Sequence, residues 1–310
     1  MKIAIIGRTE TLFETALLFL EKGYEIPLIV SAKEAPEYTK TADDFENLAS
    51  EINAVFIKTA RISTAGNVKK IRELEKIDIG ISMNYISVIS QEVTDSFSLG
   101  ILNAHGGDLP KYRGNACQAW ALINKEEKVG LCIHKMIGGE LDSGEIIARE
   151  YLPIDINTKI GEIQKWMGEI IPEMFLDSVK NLEDDPNYVL EVQSKNPKDA
   201  LRCYPRIPSD GKINWQDSNE TVLRLINASS EPYAGAFCSY NEKKIIIRDA
   251  ELFKDEENYS AVSGQISQIN SDGSIIVICG QGKLKIKEIE IEGNRMPPAQ
   301  LIKSIRSRLT

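Results

Sequence analysis

The chain is short of several things that would have simplified its reading. It has only two histidines, His105 and His134, in 310 residues. Its five cysteines, Cys117, Cys132, Cys203, Cys238 and Cys279, are odd in number, scattered, and form no CxxC pair. No His/Cys ligand set has zinc spacing, so no metal site is expected. The cysteine pattern suits reduced thiols and a cytoplasmic location rather than a disulfide scaffold. No run of 18 uncharged apolar residues exists, so no membrane span is expected. The N-terminus, MKIAIIGRTET, turns polar too soon for a secretion signal. Basic charge is also scarce, with 37 Lys and Arg against 46 Asp and Glu. The first 200 residues carry 22 basic and 32 acidic side chains, the remainder 15 and 14. Phosphate backbones are bound through basic faces, so this balance speaks against nucleic acid as a partner.

What is present is an alternation. Residues 2–6, 25–30, 54–57, 77–82 and 100–104 are short apolar runs. Between them, 11–23, 42–52 and 66–76 space apolar residues three to four apart. Strands alternating with helices imply parallel pairing and right-handed crossovers, hence a doubly wound, mostly parallel Rossmann-like α/β sheet. Two more strands are expected at 128–136 and 144–153, and one or two helices over 158–183. After Asn196-Pro197 the pattern becomes a helix near 217–228 and closely spaced strands, which predicts a smaller β-rich domain of OB-barrel type. The expected domains are 1–200 and 201–310. Residues 296–309, led by Pro297 and Pro298, are predicted to close the chain as a helix. Trp120 and Trp215 are expected in the core.

The first strand ends in Gly7-Arg8-Thr9-Glu10-Thr11, which keeps one glycine of a GxGxxG fingerprint. A nicotinamide-dependent dehydrogenase is therefore disfavoured. The loop either holds a phosphate or sugar with its N–H groups and Arg8, or is a tight turn feeding a helix.

The chemistry concentrates in LNAHGGDLPKYRG, residues 102–114, just past the carboxyl end of a predicted strand, where open α/β sheets place ligands. Asn103 and His105 are two apart and share one side of an extended backbone. An amide donor beside an imidazole suits acyl transfer: the donor holds an oxyanion and the imidazole manages a proton. GGELDSGEII presents Asp142 in a glycine-flanked loop, where it could orient His105 or take a proton itself. His134 alternates with Cys132 in a strand and reads as a packed or surface residue, with an active-site role as the lesser alternative.

The combination resembles the formyltransferase family that uses 10-formyltetrahydrofolate, which includes methionyl-tRNA, glycinamide ribonucleotide and sugar N-formyltransferases. The residues carrying the resemblance are Asn103-Ala104-His105, Leu109-Pro110-Lys111-Tyr112-Arg113-Gly114 and Asp142-Ser143-Gly144. DGKINW (210–215) and EPYAGAF (231–237) are similar to the tail domain of longer members. The resemblance implies Asn103, His105 and Asp142 as a catalytic triad, with Asn103 and a protonated His105 holding the oxyanion and Asp142 or His105 taking the amine proton. It implies 10-formyltetrahydrofolate as co-substrate, held by loops containing Met83, Asn84, Tyr85 and Val88 and by Gly138, Gly139 and Leu141. Arg8, Asp108, Lys111, Tyr112 and Arg113 are the expected acceptor contacts. Asp108 stands where the family usually has Leu, so it either faces the acceptor or is a solvated turn residue.

The tRNA enzymes carry a basic glycine-rich insertion after the second strand. Residues 31–61 here hold four basic and six acidic side chains. The expectation is a nucleotide-linked amino sugar as substrate, with methionyl-tRNA as the rival acceptor. A silent folate- or sugar-binding protein is the alternative of another class. No membrane partner is expected, and a homodimer is the expected assembly.

Overall fold

The computed structural model describes residues 1–310. The elements begin with β1 (Lys2–Gly7), α1 (Glu10–Glu21), β2 (Glu25–Ser31), α2 (Ala42–Glu51), β3 (Val55–Lys58), α3 (Ala65–Arg72), β4 (Ile79–Met83), α4 (Gln91–Thr94) and β5 (Ile101–His105). There follow β6 (Arg113–Gly114), α5 (Cys117–Ile123), β7 (Lys128–Lys135), β8 (Ile146–Pro153), α6 (Ile160–Asp184) and β9 (Arg202–Cys203). The last part holds α7 (Asn219–Ala228), β10 (Ala236–Tyr240), β11 (Lys243–Phe253), β12 (Ile266–Ile269), β13 (Ile275–Ile278), β14 (Lys283–Ile291) and β15 (Asn294–Met296). The chain divides into two compact units. One comprises residues 1–117, 129–152 and 165–203, the other 118–128, 153–164 and 204–310.

The first unit is built on a seven-stranded sheet of order β3-β2-β1-β4-β5-β7-β8. Strands β3 to β5 run parallel, as the strand–helix alternation predicts. Their near-continuous apolar sequences are those of strands covered on both faces. Ile3, Ile5, Ile6, Leu28, Ile29, Ile79 and Ile81 are fully buried. Helix starts are chemically marked. Thr41 and Asp44 form a reciprocal capping box on α2, and the Thr9 hydroxyl accepts from Leu12 N on α1. Order then reverses at β5, which pairs antiparallel with β7, matching Asn103 with His134 and His105 with Cys132.

The second unit is the antiparallel sheet β10-β11-β14-β13-β12, with β15 on β14. Trp215, Val222, Leu223, Ile245, Ile275, Val277, Leu284 and Ile286 fill its core. The predicted C-terminal helix does not form. Only a 3₁₀ turn exists, at Pro298–Gln300. The reason is tertiary. Ser239 and Thr310 exchange backbone hydrogen bonds at the β10 edge, while Leu309 N donates to Gly264 O and Ile266 N to Ser307 O at the β12 edge. The last residues therefore close the barrel between its two free edges, and those backbone groups are unavailable to a helix. Trp120 also departs from expectation. It is half-buried, and its Nε1 donates to Tyr204 O at 2.9 Å.

Leu309 anchors the closing segment and is 2% exposed. Leu309→Ala is expected to lower unfolding free energy by about 2–4 kcal/mol. Denaturant unfolding followed by Trp fluorescence measures this, and a loss below about 0.5 kcal/mol would contradict the closure.

Candidate active site

The carboxyl ends of β1, β4 and β5 converge where strand order passes from β2-β1 to β4-β5, the position at which such sheets bind ligands. The register sets Ser82 beside Asn103, so the turn after β4 opens next to the asparagine. Asn103 Nδ2 lies 3.2 Å from His134 Nε2. His134 Nδ1 is 2.9 Å from Lys135 O. A carbonyl only accepts, so Nδ1 carries the proton, and in the neutral ring Nε2 accepts from the Asn103 amide.

His105 is fixed in the opposite sense. Its Nε2 lies 2.6 Å from Tyr112 O and 3.7 Å from Cys117 Sγ. Nε2 must carry a proton to reach that carbonyl, which leaves Nδ1 turned to Asp142 Oδ2 at 3.6 Å. Gly107 makes this possible, since a Cβ there would stand 2.6 Å from His105 Nε2 and 2.3 Å from Tyr112 O. Asp142 Oδ1 is 3.6 Å from His134 Nε2, and Oδ2 accepts from Gly114 N at 2.9 Å. One carboxylate thus faces both imidazoles of the chain.

Burial and charge act on these groups in a definite order. Burial lowers the His105 pKa below its ordinary value near 6.5 and outweighs the attraction of Asp142. His105 is therefore neutral at pH 7, not protonated as the family resemblance implies. Burial alone would raise the Asp142 pKa, but His105, His134 and the Gly114 N–H together bring it down to about 2. The site at neutral pH is a carboxylate, a neutral imidazole with a free Nδ1 lone pair, and an amide with one N–H to spare.

The loops expected to hold folate lie against each other. Gly139 N donates to Ile89 O and Gly138 N to Gln91 Oε1. Met83 is buried and Leu141 half-buried, while Asn84 and Val88 are exposed. Tyr85 is half-buried and its hydroxyl is anchored between Thr59 O and Ile62 N. Arg8 donates to Asn84 O and Lys33 O, so it braces loops at the strand ends. The α1 N-terminus beside it is capped by Thr9, which favours the tight-turn reading of that loop. Lys111 is exposed, Arg113 half-buried and Tyr112 buried. Asp108 is already engaged: Arg149 and Tyr151 both donate to its Oδ1. Arg149 also donates to Leu109 O at 2.8 Å, so this pair shapes the 109–114 loop.

Two residues were not assigned to the site from the sequence. His134 belongs to the site through the β5–β7 register. Its only sequence signal was its place in a strand alternating with Cys132. Arg149 carried none, being one more charge on a strand.

Known proteins agree with this architecture. A family model described as formyl transferase matches residues 1–179, and one described as formyl transferase, C-terminal domain, matches 207–306. The chain belongs to the formyl transferase family. It is 28% identical over 299 residues to a methionyl-tRNA formyltransferase of Acetivibrio thermocellus, covering 95% of this chain and 93% of that one. A second methionyl-tRNA formyltransferase, from Akkermansia muciniphila, is 28% identical over 267 residues, covering 84% and 82%. WlaRD, a sugar 3N-formyl transferase solved with dTDP and 5-N-formyl-THF, superposes with a TM-score of 0.68 at 20% identity, over 92% of this chain and 97% of that chain. The Helicobacter canadensis N-formyltransferase, in complex with folinic acid and dTDP-3-aminofucose, gives 0.68 at 19% identity, over 92% and 98%. HypX of Aquifex aeolicus with tetrahydrofolic acid gives 0.60 at 17% identity. There this formyltransferase-family chain aligns over 98% of its own length but about half of HypX, 47%. These superpositions bear on the fold alone. No helix is long and apolar enough to cross a membrane.

The electrostatics carry a sign. A histidine whose folded pKa is depressed binds fewer protons than in the unfolded chain, so stability falls as pH drops below about 6.5. Asp142 adds a further loss as pH falls from about 4 through about 2. His105→Gln is expected to flatten the first part of this curve. Denaturant unfolding at pH 7, 6 and 5 measures it, and a slope equal to the parent's would contradict a neutral buried His105.

Proposed function

We propose that the protein transfers a formyl group from 10-formyltetrahydrofolate to the primary amine of a nucleotide-linked amino sugar. The observation that carries formyl transfer is the convergence of Asn103, His105, His134 and Asp142 within hydrogen-bonding or ion-pair reach at one strand end. In the proposed mechanism the amine nitrogen bonds to the formyl carbon and the carbonyl electron pair moves to oxygen. The spare N–H of Asn103 holds that oxyanion, while His134 orients the amide. His105 Nδ1 takes the proton lost by the amine, and the adjacent Asp142 carboxylate stabilises the imidazolium. Collapse of the intermediate breaks the bond from carbon to N10, and the proton passes from His105 to N10, releasing tetrahydrofolate. The 84–88 and 137–142 loops are the proposed folate cradle. Arg8, Lys111, Tyr112 and Arg113 are on the proposed acceptor side. Asp108 is left to Arg149, and no metal is required.

The acceptor assignment rests on charge. Segment 31–61 carries more acidic than basic side chains, and residues 201–310 carry nearly equal numbers of each. An RNA acceptor is bound through phosphate neutralisation, which this surface composition does not favour. The likeness to methionyl-tRNA formyltransferases over 95% of the chain supports the second reading, methionyl-tRNA as acceptor.

Incubation with 10-formyltetrahydrofolate and either dTDP-linked 3-amino sugars or methionyl-tRNA separates the readings. Tetrahydrofolate release with a sugar is expected. Release with methionyl-tRNA alone would overturn the sugar assignment, and release with neither, while folate still binds, would favour a binding protein. Asn103→Ala is expected to lower kcat by a factor on the order of 10²–10³. For Asp142→Asn the factor is on the order of 10²–10⁴. Donor affinity should change little in either variant. Near-parental turnover in either would remove that residue from the mechanism.

A further inference from the structure

Gln193 lies outside every motif described above, in the segment 190–193 that follows α6. Leu190 and Glu191 N–H groups donate to Ile146 O, and Ile146 N to Glu191 O, which ties this segment to the start of β8. Its side chain is buried, with the residue 5% exposed. All its strong hydrogen-bonding groups are engaged. Oε1 accepts from the Arg113 guanidinium at 2.7 Å. Nε2 donates to Asp142 O at 2.9 Å and to Gly144 O at 2.7 Å.

Those partners belong to the two loops that face each other across the site. Arg113 ends the loop whose Tyr112 carbonyl orients His105, and the neighbouring Gly114 N–H binds the Asp142 carboxylate. Asp142 itself sits at φ 49°, a left-handed conformation that a non-glycine residue adopts at a cost. Such a conformation persists only where the surroundings hold it. Here Gln193 holds the Asp142 carbonyl. Gly144 closes the loop from the other side, because a Cβ at that position would stand 1.8 Å from Lys135 O. The carboxylate meets both imidazoles at 3.6 Å, a separation that a small rotation of this loop would change.

We infer that Gln193 is a positioning residue for formyl transfer, a strut between the 109–114 and 142–144 loops that sets the Asp142 carboxylate against His105 and His134. The inference rests on the proposed role of Asp142. The Gln193 side chain hydrogen-bonds neither the groups proposed to react nor the 84–88 loop, so its loss falls on turnover rather than on donor binding. Misplacing a catalytic group by about 1 Å can cost on the order of 10²-fold in rate.

The test compares the parent with Gln193→Glu, Gln193→Leu and Asp142→Asn in the full chain. The probes are 10-formyltetrahydrofolate with dTDP-3-aminofucose and with methionyl-tRNA. Gln193→Glu keeps the length and the acceptor for Arg113 but loses both donors, and it stands in if Gln193→Leu does not fold. Both Gln193 variants are expected to lose about tenfold or more in kcat with donor KM within about threefold. A smaller loss, or one carried by KM, overturns the strut. If Asp142→Asn keeps parental turnover, the functional reading falls instead. The Asp142 carboxyl also reports without any acceptor, through its ¹³C shift. Its pKa, about 2 in the parent, is expected to rise by about one unit or more in Gln193→Leu as the carboxylate moves away from the Gly114 N–H and the two imidazoles. An unchanged value overturns the inference.

Discussion

The site depends on one pairing, the antiparallel register of β5 with β7. That pairing sets Asn103 opposite His134, and His105 opposite Cys132. A slip by one residue would turn His134 to the other face of the sheet and leave the Asn103 amide without its partner. The parallel pairing of β4 with β5 adds the second coordinate, since it delivers the 84–88 turn beside Asn103. The reversal of strand direction at β5 thus joins the folate-side loops to the reacting groups.

A buried carboxylate is costly unless its charge is met. Asp142 receives one direct donor, the Gly114 N–H, and has an imidazole 3.6 Å from each of its oxygens, close enough to answer its charge when either ring takes up a proton. The result is asymmetric. The carboxylate remains ionised and His105 remains neutral with an unprotonated Nδ1, which is the resting state a proton acceptor needs. The hydrogen bond from His105 Nε2 to Tyr112 O selects the tautomer, so the 109–114 loop acts through orientation. Arg149 holds that loop at Leu109 and Asp108, which gives the departure from the family pattern at Asp108 a structural partner.

The sequence made part of this legible. Alternating apolar strands and amphipathic helices specify a parallel sheet because both periods are local. The N-x-H spacing and the glycine-flanked aspartate could be read for the same reason. His134 read mainly as a strand residue because its place in the site arises from a long-range register that no local pattern encodes. Arg149 and Gln193 reach the site from segments with no motif of their own. The C-terminal segment read as a helix from the two prolines at its start, yet the two open edges of the barrel took its backbone hydrogen bonds, and tertiary demand overrode local preference. The charge asymmetry remains a composition argument, and it bears on the acceptor rather than on the chemistry.

The scarcity of histidine makes the central claim directly measurable. With two imidazoles in the chain, ¹⁵N spectra at pH 7 resolve each ring without ambiguity once one is replaced. The account predicts a neutral His105 protonated at Nε2, with a free Nδ1, and a His134 protonated at Nδ1. A His105 that is cationic at pH 7, or neutral with its proton on Nδ1, would contradict the arrangement of carboxylate, imidazole and Tyr112 carbonyl on which the proposed transfer depends.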